Sequence, residues 1–393
     1  TEETTWSNVS VSPDGEVIVF DMLGDLYTVP IDGGEATALT QDIAWNFQPT
    51  FSPDGSRIAF ISDRDGADNL WVMDSDGSNP RQVSQEKSNI VHNPAWSPDG
   101  EYLAAKKSFM GSRSIAGGEI WMFHAGSQGA GLQLTERPFG DEDQKNQADP
   151  AFSHDGRYIY FAQDTTPGRV WQYSKDGTGQ IFVIQRYDRE DGETDTFVSG
   201  AGGGVRPVPS PDGRYLAFVK RLVDLRSALY LKDLETGREA AIYDNFERDL
   251  QETSGTEGNA PAFDWMPDSS AIVFWSGGKL HRIDVESREV TALPLRVRAS
   301  LQVRETLRTP VSVAPDTFRI QQPRWPVVSP DGETVVFEAL GVLWRRNLPD
   351  GPAQRLTDSE VVFEAWPAFS PDGKRIVYTT WSDQAQGQVR VAT

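Results

Sequence analysis

The sequence predicts an all-β protein: a β-propeller built of four-stranded blades, in eight repeat units of which the last is incomplete. Two observations carry this. The tetrapeptide Ser-Pro-Asp-Gly begins at Ser12, Ser52, Ser97, Ser210, Ser329 and Ser370, with near-copies at Ser153 (Ser-His-Asp-Gly) and Met266 (Met-Pro-Asp-Ser). Successive starts lie 40, 45, 56, 57, 56, 63 and 41 residues apart, the period of a propeller blade with some lengthened loops. The 35 Gly, 25 Pro and abundant aromatic residues spread over all 393 positions then suit short strands punctuated by turns.

The second unit shows the internal order. An apolar segment ends at Phe51, and Ser52-Pro53-Asp54-Gly55 turns the chain into the alternating run Arg57-Ile58-Ala59-Phe60-Ile61. A polar turn over 62–68 leads to Asn69-Leu70-Trp71-Val72-Met73, and a second turn over 74–77 to the short strand Arg81-Gln82-Val83. Proline presets φ at the first central position of a type I turn, aspartate bonds local backbone at the second, and glycine takes the left-handed position that closes the hairpin. The tetrapeptide is therefore a structural word, and its Ser and Asp are not a catalytic pair. Aromatic residues such as Trp45, Trp71, Trp96, Trp121, Trp265 and Trp366 fall in or beside predicted strands, where blades stacked face to face need core.

Composition excludes several function classes. Asp and Glu number 58 against 37 Lys and Arg, a formal charge of −21, which disfavours nucleic acid as a partner because a phosphate backbone attracts cations. No apolar run reaches the roughly 18 residues of a membrane span. The absence of cysteine rules out disulfides and thiolate metal sites within the sequence.

The pattern apolar-x-Ser-Pro-Asp-Gly, followed by an "IAF" strand, an aspartate-rich turn, "LWVMD" and "RQVS", resembles the TolB-type β-propeller repeat, which is similar to those of tricorn and prolyl-oligopeptidase propellers. A narrower resemblance rests on four ordered stretches: 4–40, "GEIWMFH" (118–124), 180–213 and "VAPDTFRI" (313–320). Together they resemble the N-terminal propeller region of large bacterial amidohydrolases. That resemblance implies a noncatalytic propeller docked on a downstream hydrolase domain, gating or guiding a small-molecule or peptide substrate, in a periplasmic or secreted protein. It implies no cofactor in this chain, with a divalent metal in the downstream domain. Two other readings stand beside it: a stand-alone periplasmic TolB-like binding propeller, and the propeller of a tricorn or prolyl-oligopeptidase type serine peptidase.

Members of the amidohydrolase family continue beyond the point where this chain stops, and the last unit reads as three strands ending at Val389-Arg390-Val391-Ala392-Thr393. Either residues 1–5 supply its fourth strand or the chain is part of a longer polypeptide, and the second is the expectation. Between Leu293 and Trp325 two strand-like segments, 296–306 and 317–322, occur without a blade turn. One array over 1–393 thus admits a subdivision into a six-unit propeller (1–295), connecting strands (296–323) and the start of a second propeller (324–393).

Motifs for chemistry are absent from the sequence. The four histidines, His92, His124, His154 and His281, include no His-x-His pair and no His-Glu-x-x-His. There is no Gly-x-Ser-x-Gly elbow, no Walker loop and no Gly-x-Gly-x-x-Gly. The acidic stretches 62–69 and 74–79 lack the ligand register of a calcium loop, and turn chemistry accounts for them. Two features rise above this background. Lys106, Lys107 and Arg113 form a basic stretch read as a long loop, and Arg206 follows a glycine run leading into an innermost strand. Arg113 and Arg206 are the candidate contacts to an anionic ligand or partner domain, since a guanidinium holds carboxylate by paired hydrogen bonds.

Overall fold

The computed structural model describes residues 1–393 except 111–114, 138–139, 141–142, 172–175, 254, 256, 303–304, 306, 308 and 360–361, and gives backbone alone at 115–116. The chain divides into two compact units, Thr1–Arg304 and Glu305–Thr393.

The first unit holds six four-stranded antiparallel blades, each formed by strands in chain order, blade 1 skipping the two-residue strand Gly34–Glu35. Blade 2 is representative: Asn46–Phe51, Arg57–Ser62, Asn69–Asp74 and Arg81–Gln82, ordered from the inside outward. Alternation along Arg57–Ser62 sends successive side chains to opposite faces, and both faces are buried. Ile58 and Phe60 pack with Val19 and Leu26 of blade 1, while Ala59 and Ile61 pack with Val91 and Leu103 of blade 3. Equivalent clusters join blades 3 and 4, 4 and 5, and 5 and 6. A sixth joins Val9, Ile18 and Phe20 of blade 1 to Val273 and Leu280 of blade 6, so the ring closes.

The recurring turn has the anticipated geometry. In blade 2, Ser52 Oγ donates to Asp54 Oδ1 at 2.6 Å, Arg57 N donates to Ser52 Oγ at 3.0 Å, and Gly55 N donates to Ser52 O at 2.8 Å. Gly55 sits at φ +71°, and a Cβ there would approach Pro13 of the neighbouring turn at 3.3 Å. The same stacking sets Gly100 on Pro53, Gly156 on Pro98, and Gly15 on Pro267 across the closure. Ser and Asp are thus consumed in holding the turn.

Two carboxylates tie blade 1 to its neighbours, half-buried Asp264 across the closure and buried Asp21 toward blade 2. Asp264 accepts from Ser10 Oγ (2.8 Å), Val11 N (2.9 Å) and its neighbour Trp265 N (2.8 Å). Asp21 accepts from Asn8 N, Asn8 Nδ2 and Gln48 N, each at 2.7 Å. A parallel pair, Leu295–Arg296 against Gly34–Glu35, adds a further tie. The amino terminus joins it: Thr1 exchanges hydrogen bonds with Val297, and Thr4 N donates to Gly278 O. Thr1 and Thr4 therefore pair within the first unit. Beyond Leu295–Arg296, the described residues up to 323 form no strand.

The second unit holds one four-stranded blade (Arg324–Val328, Thr334–Ala339, Val342–Asn347, Gln354–Arg355) and one three-stranded blade (Phe363–Phe369, Ile376–Ser382, Gln386–Ala392). Ile376, Tyr378 and Thr380 are buried, whereas Val377, Trp381, Val389 and Val391 are exposed. The last blade therefore covers one apolar face and presents the other. Most tryptophans anticipated as core pack against neighbours, as Trp96 and Trp265 do, but Trp45 and Trp366 are more than half exposed.

Two predictions follow from the turns and the closure. Asp54→Ala removes the acceptor of two hydroxyls and a backbone N–H, and is expected to cost about 1 kcal/mol in urea unfolding with the far-ultraviolet spectrum unchanged; undiminished stability would contradict the turn's structural role. Burial pushes the carboxyls of Asp21 and Asp264 up to about 6, so the folded state holds their protons more tightly than the unfolded chain. Their contribution is full below the ordinary carboxylate value and lost as pH rises through about 6. The turn aspartates run the other way: the Ser52 hydroxyl, with Ser56, holds Asp54 down at about 2, so that support is lost in strong acid. Melting temperature is expected to rise from pH 7.5 toward about 5 and to fall in stronger acid. Asp264→Asn should flatten the rise, which separates it from relief of the overall negative charge; an unchanged slope would refute the assignment.

Candidate functional site: the axial funnel

The innermost strands of blades 2 to 5 share a break four residues before the turn serine. Gln48, Asn93, Asp149 and Arg206 all adopt left-handed φ between 52° and 57°, each is followed by proline, and each lies at a register shift in the pairing with the second strand. A proline cannot donate to the ladder, so the strand bulges there and the preceding side chain is re-aimed. In blades 1 and 6 the equivalent residues, Asn8 and Ala262, are not followed by proline.

These positions meet at the axis. A funnel of about 420 Å³ descends from the turn prolines, among them Pro53, Pro98 and Pro211, to Gln48, Asn93, Asp149 and Arg206. The floor is polar and largely interlinked. Ala262 N donates to Asn8 Oδ1 (2.8 Å), Gln48 N to Asp21 Oδ2 (2.7 Å), and Asn93 N to Gln48 Oε1 (2.7 Å). Arg206 Nη2 lies 3.2 Å from Asp149 Oδ1, with both side chains buried. Fully buried Lys106 stands near this pair: burial pushes its ammonium down to about 8, and the Asp149 carboxylate opposes that shift.

Arg206, one of the two residues singled out from the sequence, is thus on the innermost strand itself and at the axis. Its guanidinium already donates to the Ala260 carbonyl, from Nε at 3.1 Å and Nη2 at 2.6 Å. Arg113 lies outside the described residues. Lys106 and Lys107, read from the sequence as loop residues, belong to the strand Tyr102–Met110 and are buried. Lys107 pairs with Glu86 at 2.6 Å and lies over the Trp121 ring at 4.1 Å. A lysine at an inward position of a long strand carries the same letters as one on a loop, which is why spacing missed it. Asp21, Asp149 and Asp264 were also missed, although the residue-proline signal at a fixed offset from the turn marks Asp149.

The histidines are dispersed in structural roles. His92 Nε2 is 3.0 Å from Asp68 Oδ2, His124 Nδ1 accepts from Gly126 N, His281 Nε2 lies 3.1 Å from Ser276 O, and His154 is an exposed turn residue. No group of three or more metal-ligating side chains occurs among the described residues. The donor set of an amidohydrolase metal centre does not fit this chain.

Comparison with known proteins places this geometry. Residues 7–115 match the model of the tricorn protease N-terminal β-propeller domain. An uncharacterized protein of Agrobacterium fabrum is 25% identical over 284 residues, 67% of this chain and 82% of its own length. Tricorn protease homolog 1 of Streptomyces coelicolor is 33% identical over 92 residues, 23% of this chain and only 9% of that protein. The crystal structure of TolB from Acinetobacter baumannii superposes with a TM-score of 0.54 at 17% identity, over 73% of this chain and 63% of TolB. The chain thus spans less than two thirds of that TolB and about a tenth of the tricorn homolog. Its repeats, its sheet topology and these likenesses identify the fold as a β-propeller, similar to those of TolB and of the tricorn protease N-terminal domain.

Proposed function

We propose that the chain is the noncatalytic propeller portion of an amidohydrolase-type, metal-dependent hydrolase, docking on the catalytic domain and guiding or restricting substrate access to it. The observation that carries this reading is the order of four stretches, 4–40, 118–124, 180–213 and 313–320, that resemble the propeller region of such enzymes. The floor of the funnel supports a binding role, because its charged groups are tied to one another and to backbone. Bond cleavage by a metal-activated water would then belong to residues outside this chain. In the same reading Arg113 and Arg206 contact an anionic ligand or the partner domain, and an anion at Arg206 would replace Asp149 or the Ala260 carbonyl. Residues 324–393 open a second propeller, whose next blade would cover Val377, Trp381, Val389 and Val391. The natural location proposed is the periplasm or the cell exterior.

The match of residues 7–115 to the tricorn propeller favours one other reading, the propeller of a serine peptidase. The natural full-length polypeptide distinguishes the two. Hydrolase activity abolished by a chelator and restored by zinc or manganese, with residues 1–393 alone inactive, is the expected outcome. Chelator-insensitive peptidase activity with labelling by a fluorophosphonate would replace it with the tricorn reading. Activity in residues 1–393 alone would overturn the noncatalytic assignment, and recovery of the protein only from the cytosolic fraction would overturn the location.

A further inference from the structure

The axial residues of three blades hold a piece of the chain's own backbone. Gln48 Nε2 and Asn93 Nδ2 both donate to the carbonyl of Glu257, the latter at 3.0 Å. Arg206 donates twice to the carbonyl of Ala260. Each contact reads main chain, not side chain. Between these carbonyls Gly258 has φ +121°, and a Cβ there would lie 2.5 Å from Arg206 Nη2 and 3.1 Å from Asp149 Oδ1. The segment is tethered independently of the axis. Leu250 N donates to Asn259 O at 2.8 Å, and Asp249 is fixed to blade 5 through Ser227 and Arg221.

A second observation concerns what this segment leaves unmet. Asp149 Oδ2 and Asn93 Oδ1 are buried and accept no hydrogen bond, and Asp149 Oδ1 has the Arg206 ion pair at 3.2 Å but no hydrogen bond. Buried acceptors ordinarily find donors, because an acceptor taken out of water without one keeps its desolvation cost. The segment offers carbonyls to Gln48, Asn93 and Arg206 but no N–H to Asp149.

We infer that the axial floor of the first unit is a binding site for an extended, glycine-containing peptide, occupied in this chain by its own segment 257–260, which a peptide supplied by another protein can replace. The ligand class follows from the contacts. Amide and guanidinium donors read its carbonyls, the crowding at Gly258 demands glycine between them, and Asp149 rewards a peptide that turns an N–H toward it. A short tether holds the internal segment at an effective concentration in the millimolar range, so an outside peptide competes poorly unless the internal one is weakened.

Gly258→Val weakens it, because the added atoms meet Arg206 and the backbone conformation is one that L residues avoid. The probe is the acetylated and amidated octapeptide Gly-Thr-Glu-Gly-Asn-Ala-Pro-Ala, the sequence of residues 255–262. Isothermal titration should find binding to the variant at least about tenfold tighter than to the wild-type chain, and hydrogen exchange should show the Leu250 amide, which donates to Asn259 O, deprotected in the variant. Equal affinities, no binding to the variant, or unchanged protection would overturn the inference. Should the variant fail to fold, wild-type exchange decides: the Leu250 amide, bonded to Asn259 O, is expected to open locally, faster than those of Arg57–Ser62, and exchange only through global unfolding would overturn it. These readouts are independent of any hydrolase activity.

Discussion

A blade is one sheet thick and apolar on both faces, and this single constraint organises the molecule. Ile58 and Phe60 point one way from blade 2, Ala59 and Ile61 the other, and all four are fully buried. No blade can hide both faces by itself, so each is stable only between two neighbours. Burying a side chain of the size of Phe60 contributes about 1.5–3 kcal/mol, and the gain recurs at every blade interface. The last blade shows the converse: with a neighbour on one side, Val377 and Trp381 remain exposed while Ile376 and Tyr378 do not.

Closing the ring is the step that sequence adjacency does not provide. Blades 1 and 6 are brought together across some 250 residues, and non-directional apolar packing alone leaves their register loose. One carboxylate stands at that seam and another at the neighbouring interface of blades 1 and 2. Asp264 spans from blade 6 to Ser10 and Val11 of blade 1, and Asp21 ties Asn8 to Gln48 of blade 2. A carboxylate accepting several N–H and O–H groups fixes a geometry that leucine cannot, at the cost of desolvation. That cost is visible in the raised affinity of both groups for protons.

The repeat was legible in the sequence because the turn word recurs for a steric reason: the fourth position is left-handed, and in seven of the eight turns glycine fills it, as Gly55 does against Pro13, with Ser269 taking it in the sixth. Once that word is located, the blade strands follow by alternation. Arg206 was legible for a related reason, lying just after glycines and just before an innermost strand. Asp149 carried the same signal, a residue before proline at the same offset, and was passed over because Asp-Pro reads first as a turn. Lys106, Asp21 and Asp264 were not legible, since their burial is decided by partners on other strands and blades. The contact between Gln48 and Glu257 spans 209 residues and leaves no periodic trace.

The offset four residues before each turn serine separates architecture from function. Strand interiors and turns are constrained by stacking, whereas the bulged residue leaves the ladder and escapes both constraints. In blades 2 to 5 this freedom is used for polar groups, Gln48, Asn93, Asp149 and Arg206, which interlink and hold backbone. In the second unit the same offset carries Trp325 and Trp366, also at left-handed φ, with ring centroids 5.0 Å apart. One backbone device therefore presents hydrogen-bonding groups in one unit and a tilted pair of aromatic rings in the other. The two units share a scaffold while differing in the chemistry they offer a ligand, and that difference is written in a single residue per blade.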